Sequence, residues 1–217
     1  MEYIVPLYHK GYNRLDLIYD CYQEFSNKWE MRESRRTGKV IKEELSTKRR
    51  GDWTAFLCVS DNKISLFRLI AQYLLDHLEV PSGCVFVVTI GRKAVAKPAT
   101  YDISNTTPCT HEEADVCIFL NFEHAMSNGH TNIFIRTNGC CCSCKTKWNY
   151  QDIVIGFDVS NKKTQKSMKY IEISEVIDFI GASRALVLPG FHGFTGCDTV
   201  SSFWKRGKKL AWEVWNV

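Results

Sequence analysis

The chain has 217 residues, a formal net charge of +4 and an apolar share of 45%, with six tryptophans. This length and composition are enough to bury one substantial core, so we expect a globular protein. The N-terminal residues lack a basic region followed by a long apolar run, and no apolar run reaches the roughly 18 residues of a membrane-spanning helix. We therefore expect an intracellular protein without a secretory signal or a membrane span.

The ten cysteines fall into two groups, and we expect an intracellular protein to keep them reduced. The cluster Cys140–Cys144 offers zinc ligands together with His111 or His192, but structural zinc sites favour paired cysteines over three consecutive ones. A nucleophilic cysteine with His192 or His124 lacks a flanking motif. The other six cysteines stand singly among apolar neighbours and are typical of small core residues: Cys21, Cys58, Cys84, Cys109, Cys117 and Cys197.

A basic segment follows the first apolar segment, which spans residues 3–22. Nine of the 28 lysines and arginines lie between Lys28 and Arg50. A local cluster of cations matters more than total charge for binding a polyanion, so we interpret 28–52 as a basic arm that binds nucleic acid. A solvated loop is the alternative. The predicted contacts of the arm are Arg32, Arg35 and Arg36.

Hydrophobic patterns predict a helix and then a strand in the next part of the chain. Asp61 stands as a cap before a run of apolar residues at helical spacing, which predicts a core-facing helix. The run CVFVVTI at 84–90 is typical of a buried central strand, and 91–109 is predicted as a loop. The helical run comprises Ile64, Phe67, Ile70, Leu74 and Leu78.

Thr110 begins the next predicted helix, because Thr110 and Glu113 stand at capping-box spacing and an apolar face runs on to Gly129. A second buried strand is predicted at 133–137. A strand, a helix and a strand with continuous apolar runs indicate an α/β fold with a parallel sheet covered on both faces.

Two further elements are predicted before the C-terminal segment. Residues 152–159 and 167–173 flank a polar stretch and are interpreted as a hairpin. Ser174 is then predicted to cap a helix that runs through Ile180.

The C-terminal segment 189–217 combines one acid, Asp198, with a basic loop that precedes a short amphipathic helix. Unpaired backbone N–H groups at a helix start, with a glycine and several cations beside them, suit a phosphate. We predict that the loop binds a sugar-phosphate backbone without reading bases. A solvated basic helix start, with Asp198 as a turn residue, is the alternative. The loop residues are Lys205, Arg206, Gly207, Lys208 and Lys209.

Acids crowd the start of the predicted helix at Thr110. One interpretation is purely structural. The negative charges of Glu112, Glu113 and Asp115 interact favourably with the positive end of the helix dipole, and Glu113 closes the capping box. However, two carboxylates about 4 Å apart repel by roughly 4 kcal/mol at an effective dielectric of 20, a cost that a divalent cation removes. Ligands collect at the carboxyl ends of parallel strands, so we predict a Mg²⁺ or Mn²⁺ site there that includes Asp198.

Three separated motifs resemble the flap-endonuclease and XPG nucleases, a branch of the PIN-like fold. The HEEAD run at 111–115 resembles the helix-start acids that bind metal in that family. The stretch TGCDTVSSFWKRGKKLAW resembles its "GCDY" segment and helix-turn-helix, and YDCYQEFSNKWEMRESRR resembles its "FDG" strand end and basic arm. The resemblance implies a three-layer domain with a mainly parallel central sheet, and it implies that Gly207, Lys208 and Lys209 contact DNA. The implied metal ligands are Asp20, Glu113, Asp115 and Asp198.

The chain also resembles a group of uncharacterised metazoan proteins, often associated with mobile elements, which carry "EEADTRIF", "DTDVVVLA" and "HALTGCDT" blocks and an "NW..FL..D.NK..LF" segment. The likeness covers almost the whole chain and implies one incomplete domain over 1–217. The first acidic strand would precede residue 1, and the acids expected after 133–137 are replaced by NGCCCSC. Since a one-base shift of suitable codons turns 138–144 into a segment containing Asp-Val-Val-Val, we interpret this stretch as a frameshifted or mis-spliced product.

The resemblance therefore implies a degenerate relative of a metal-dependent, structure-selective nuclease, with weak or no phosphodiesterase activity. A non-catalytic nucleic-acid-binding or protein-interaction remnant is the alternative, and a zinc-binding protein through Cys140–Cys144 is the second. The expected partner is nucleic acid, DNA in particular, and the expected location is nuclear.

Overall fold

The computed structural model describes residues 1, 4–21, 53–108, 114–137, 153–159, 167–195 and 207–215. The chain divides into two compact units, Met1–His124 and Ala125–Val217. The described residues form two three-stranded sheets, each with one parallel and one antiparallel pair. The predicted α/β class is confirmed, but each described sheet is mixed rather than mainly parallel. The prediction of one domain over 1–217 stays a prediction.

The first unit is built around a sheet with the strand order β1-β2-β3. Strand β2 pairs in parallel with β1, from Arg14 opposite Val85 to Leu17 opposite Val88. Its other edge pairs antiparallel with β3. The elements are α1 (Val5–His9), β1 (Arg14–Leu17), α2 (Trp53–Leu57), α3 (Ser60–His77), β2 (Val85–Ile90), β3 (Lys93–Lys97) and α4 (Ala114–Ser127), which continues into the second unit.

Strand β2 is buried on both faces, as the continuous apolar run predicts. Phe86 and Val88 pack on one face with Leu74 and Leu78 from the α3 region. Val87, on the other face, belongs to a separate cluster with residues of β3. Full burial of each of these side chains contributes about 1.5–3 kcal/mol, which makes β2 the centre of this unit.

Helix α3 confirms the helical periodicity but not its predicted cap. The N-cap is Val59, which is extended and makes no side-chain capping hydrogen bond, and Asp61 lies within the first turn. Asn62 is fully buried and donates to the Phe56 carbonyl at 3.1 Å, which ties α3 to α2. On the predicted core face, Ile70 is 36% exposed, since Ala71 takes the buried position instead.

Strand β3 lies within the segment 91–109 that we predicted to be a loop. It pairs with β2 from Ile90 opposite Lys93 to Phe86 opposite Lys97, and Gly91 supplies the positive φ of +58° that a tight hairpin turn uses. A lysine at each end of this edge strand weakens its apolar signal. The two-residue turn after an apolar strand was the available sequence cue.

Helix α4 and strand β4 lie where the sequence predicts them. Gly129, at φ +84°, follows the helix C-terminus, and its N–H donates to the Met126 carbonyl. The predicted capping box at Thr110 lies outside the described residues. Strand β4 is not buried on both faces, because Phe134 is 50% exposed while Ile135 is 6% exposed.

The second unit begins with the C-terminal end of α4 and contains a sheet with the order β4-β5-β6. The predicted hairpin is confirmed, since β5 and β6 pair antiparallel from Val154 opposite Glu172 to Val159 opposite Ser167. Strand β4 pairs with β5 in parallel. The elements are β4 (Ile133–Thr137), β5 (Ile153–Val159), β6 (Ser167–Glu172), α5 (Ile173–Ile180), α6 (Ala182–Phe194) and α7 (Lys208–Trp215).

The helices of the second unit differ from the sequence-based expectations in two places. The N-cap of α5 is Glu172 rather than Ser174, whose hydroxyl donates to the Glu172 carboxylate at 2.6 Å. Helix α6 runs through Pro189, a residue that sequence rules treat as a helix breaker, and it includes the first six residues of the C-terminal segment 189–217. The predicted helix after the basic loop is confirmed as α7.

Candidate metal and nucleic-acid sites

Asp20 lies at the start of helix α4. Its Oδ1 accepts a hydrogen bond from the Ala114 backbone N–H at 2.9 Å, across 94 positions of sequence. The chain between β1 and Asp20 is held to the neighbouring strand, because the Tyr19 N–H donates to Thr89 Oγ1 at 2.8 Å. Asp20 therefore follows the carboxyl end of the parallel pair β1–β2, where open α/β sheets bind ligands.

The opposite end of α4 is held by Arg14, at the start of β1. Its Nη1 lies 2.9 Å from His124 Nδ1, and its Nη2 lies 3.5 Å from the Asn121 carbonyl oxygen. Because Asp20 contacts the first residue of α4 and Arg14 contacts its last two turns, α4 runs antiparallel to β1. The positive end of the helix dipole thus points to the carboxyl edge of this sheet, which favours an anion there.

Arg14 forms a bidentate ion pair with Asp16, with Nε and Nη2 each 2.8 Å from a carboxylate oxygen. The two side chains are only 5% and 18% exposed. Burial works to lower the pKa of Arg14, but the hydrogen bonds and charge of Asp16 outweigh it, and the pKa lies above its usual value. The guanidinium also lies 5.6 Å from the ring centre of Tyr101. Arg14 is therefore a permanent buried cation.

His124 is neutral beside this cation. Burial and the charge of Arg14 both lower its pKa. An Arg14 N–H can only donate, so His124 Nδ1 accepts and the ring proton resides on Nε2. The sequence analysis did not predict the contacts of Arg14 with Asp16 and His124. The available signal was the pair of opposite charges at Arg14 and Asp16, two positions apart and so on one face of the strand.

Of the four predicted metal ligands, the structure joins Asp20 to the backbone of the helix that carries Asp115. The side chain of Asp115, and the whole of Glu113 and Asp198, lie outside the described residues, so the convergence of all four stays a prediction. Among the described residues, no group of three His, Cys, Asp or Glu side chains is arranged to hold a metal ion. The observed role of Asp20 is to satisfy a backbone N–H at a helix start.

The start of α7 carries the described part of the basic loop. Lys208 Nζ donates to the His192 carbonyl at 3.1 Å and to Thr195 Oγ1 at 3.3 Å. Its charge thereby lies at the C-terminus of α6, where a cation is favourable. A Cβ added at Gly207 would meet nothing within 4 Å, so packing does not require glycine there. Lys209 is exposed and becomes the stronger candidate for a phosphate contact.

The remaining predicted contacts lie outside the described residues: Arg32, Arg35, Arg36, Lys205, Arg206 and the cluster Cys140–Cys144. Among the single cysteines, Cys21 is buried, whereas Cys58 is exposed, so the prediction of a core residue is wrong for Cys58. Cys117 is buried and takes part in a disulfide bond, which the expectation of reduced cysteines did not include.

Comparison with protein-family models, curated proteins and solved structures found no match to this chain. Within the described part of the chain, no helix combines the length and the apolar character that crossing a membrane needs.

Proposed function

We propose that this chain is a nuclease-like nucleic-acid-binding protein that holds Mg²⁺ or Mn²⁺ at the start of α4 and hydrolyses phosphodiesters weakly or not at all. The observation that carries the proposal is the 2.9 Å hydrogen bond between Asp20 Oδ1 and the Ala114 N–H. It joins a carboxylate that follows β1 to a helix start preceded by Glu112 and Glu113 and followed by Asp115.

The donor set at this position fits a hard divalent cation. Carboxylate oxygens are the ligands that Mg²⁺ and Mn²⁺ prefer. Asp20 uses Oδ1 for Ala114, and its Oδ2 accepts no hydrogen bond from a described residue. A cation bound there would add positive charge for a phosphate oxygen, in the same direction as the dipole of α4.

Binding without efficient cleavage is expected because the acid set is incomplete. Two-metal phosphodiester chemistry needs ions about 4 Å apart, held by carboxylates on both sides. The sequence after β4 carries NGCCCSC where the resemblance to PIN-like nucleases implies further acids. The same proposal includes descent from a mobile-element-associated nuclease, a PIN-like three-layer fold and a nuclear location. Its support is the order along the chain of the three motifs that resemble flap-endonuclease and XPG nucleases.

The test is fluorescence anisotropy of labelled single-stranded and flap DNA with the full chain, in Mg²⁺, Mn²⁺ or EDTA at constant ionic strength, with gel analysis for cleavage. We expect tighter binding with the cation and little or no product. Asp20→Asn should reduce the cation effect, because it removes one charged ligand. Asp76→Asn, which alters an exposed acid of α3, is the matched control.

A cation-independent, salt-sensitive affinity that is equal in the wild type and Asp20→Asn would favour the second candidate function, backbone binding through the α7 start alone. The exposed Lys209 is the observation that supports this candidate. Absence of binding at low salt would contradict both functions, because every phosphate contact strengthens as salt is lowered.

A further inference from the structure

We propose that the first unit binds a small amphipathic carboxylate, of the medium-chain fatty-acid type, in a cavity beside β3. The cavity is an open groove with a volume of about 670 Å³, and it lies between the C-terminal end of α3, the segment 80–84 and the strand β3 with the residues that follow it. Small-molecule sites commonly have about 300–1,000 Å³, so the space suits a ligand of this size. The proposed nucleic-acid function does not use this cavity.

Three aliphatic side chains form much of the described wall of the cavity. Leu75 and Val80 are half-buried, and Val95 is 36% exposed. These three side chains face the cavity from three separate segments of the chain. An alkyl chain placed among them would remove apolar surface from water on both partners, which is the main driving force for apolar binding.

Among the described residues that line the cavity, Lys97 is the one that carries a charge. Its Nζ donates to the Leu75 carbonyl at 2.8 Å, which satisfies a carbonyl in the last turn of α3. An ammonium has three donors, so this contact leaves capacity for a ligand oxygen. No described carboxylate forms an ion pair with Lys97. A half-buried cation at the edge of an apolar cavity selects an anionic head group over a neutral or cationic one.

Cys84 provides a built-in reporter of occupancy. It lines the cavity, is partly exposed and carries a free thiol. Cys58 is also free and is exposed, but it does not line the cavity. A ligand in the cavity should therefore shield the Cys84 thiol from a maleimide and leave the Cys58 thiol accessible.

The experiment measures the rate of maleimide addition at each of these two cysteines in the full chain by peptide mass spectrometry, with decanoate as the probe. At about ten times its dissociation constant, decanoate should slow the Cys84 reaction about tenfold, because the unliganded fraction falls as 1/(1 + [L]/Kd). The rate at Cys58 should not change. Decanol, which has the same chain length without the charge, should shield Cys84 at least roughly tenfold less well, since charge-assisted hydrogen bonds are the stronger ones.

Lys97→Gln keeps most of the side-chain length but removes the charge, and it should weaken decanoate protection of Cys84 by roughly tenfold or more. Lys93→Gln, on the same strand but away from the cavity lining, should keep full protection. Equal protection by decanol and decanoate, equal slowing at Cys58, or unchanged protection in a folded Lys97→Gln variant would each overturn the proposal. Circular dichroism of the two variants establishes that both are folded.

Discussion

Asp20 illustrates how one side chain carries two roles that a sequence does not separate. Its Oδ1 accepts a hydrogen bond from the Ala114 N–H, a role that any acceptor of similar shape can fill. Binding a divalent cation would in addition require the negative charge of the Asp20 carboxylate. Replacing the residue in two different ways separates the two roles.

We predict that Asp20→Asn leaves the free energy of unfolding within about 0.5 kcal/mol of the wild type, because the amide oxygen still accepts the Ala114 N–H. Asp20→Ala should cost about 1 kcal/mol, as the loss of a helix-capping acceptor does. Urea unfolding measures both, and Mn²⁺ titration should show weaker binding in both variants. If Asp20→Asn bound Mn²⁺ as tightly as the wild type, Asp20 would be a structural residue only.

His124 predicts a pH dependence of stability. Its pKa in the folded protein is lowered, first by burial and then by Arg14, so below about pH 6.5 the unfolded chain binds more protons than the folded one. This contribution is complete above pH 6.5 and is lost as the pH falls through 6.5 toward the folded pKa. The slope it adds is at most about 1.4 kcal/mol per pH unit.

His124→Gln, which keeps an acceptor for Arg14 but does not titrate, should flatten the fall in unfolding free energy between pH 7 and pH 5. Urea midpoints at half-unit pH intervals measure the difference. Exposed histidines such as His9 remain in both proteins and supply a common background. Identical pH profiles for the two proteins would show that His124 does not control acid stability.

At the scale of elements, α4 is held to β1 at both ends. Asp20 binds its first residue, and Arg14 contacts its last two turns through Asn121 and His124. Residues at 14 and 20 thus set both the direction and the axial position of a helix that lies about 100 positions later. The bidentate pair with Asp16, on the same strand, orients the Arg14 guanidinium for its contacts with α4.

Arg14→Leu should destabilise the first unit by about 1–3 kcal/mol, since it removes the hydrogen bonds of Arg14 and leaves the partly exposed carboxylate of Asp16 without its partner. The double variant Arg14→Leu/Asp16→Leu should recover most of that loss, because removing both charges avoids the desolvation cost. Arg92→Leu, at an exposed turn position, is the control and should change stability by less than about 0.5 kcal/mol. A double variant less stable than Arg14→Leu would show that the pair contributes net stability.

The α7 start predicts unequal roles for its two lysines. Lys209→Ala should reduce the slope of log K against log salt for DNA binding by about 0.7–0.9, the contribution of one phosphate contact. Lys208→Ala should reduce it less, because Lys208 donates to the His192 carbonyl and Thr195. Equal slopes for Lys209→Ala and the wild type would show that Lys209 makes no phosphate contact and that the basic start of α7 contributes only to solubility.

At the scale of the whole molecule, each sheet is a three-stranded mixed sheet rather than part of one described parallel array. The parallel pairs β1–β2 and β4–β5 each carry a carboxyl edge, which is where the predicted acids were placed. Residues 138–144, which follow one such edge, lie outside the described part of the chain.

The coding sequence tests the interpretation of 138–144. We expect codons that yield Asp-Val-Val-Val after a one-base shift, because an apolar β-branched run with an acid suits the carboxyl edge of a parallel pair better than adjacent cysteines do. Nucleotide sequencing of the gene and transcript measures this directly. Codons that give no such run in either shifted frame would contradict the interpretation and return the cluster Cys140–Cys144 to the zinc alternative.

The sequence by itself determined the elements whose signal is local. The period of 3.6 in α3, the apolar run of β2 and the polar interruption between β5 and β6 each lie within about 20 residues, so pattern and propensity are sufficient to predict them. The acids before and within the first turn of α4 and the basic start of α7 are recognisable for the same reason.

Only the tertiary structure decided the features that depend on a distant partner. Strand β3 exists because β2 offers a free edge, and α6 continues through Pro189 although local propensity opposes it. The Arg14 network and the Asp20–Ala114 contact join residues roughly 90–110 positions apart, and no local pattern specifies such a pairing. Side-chain hydrogen bonds and ion pairs are chosen by which groups folding buries together, because a buried polar group without a partner is costly.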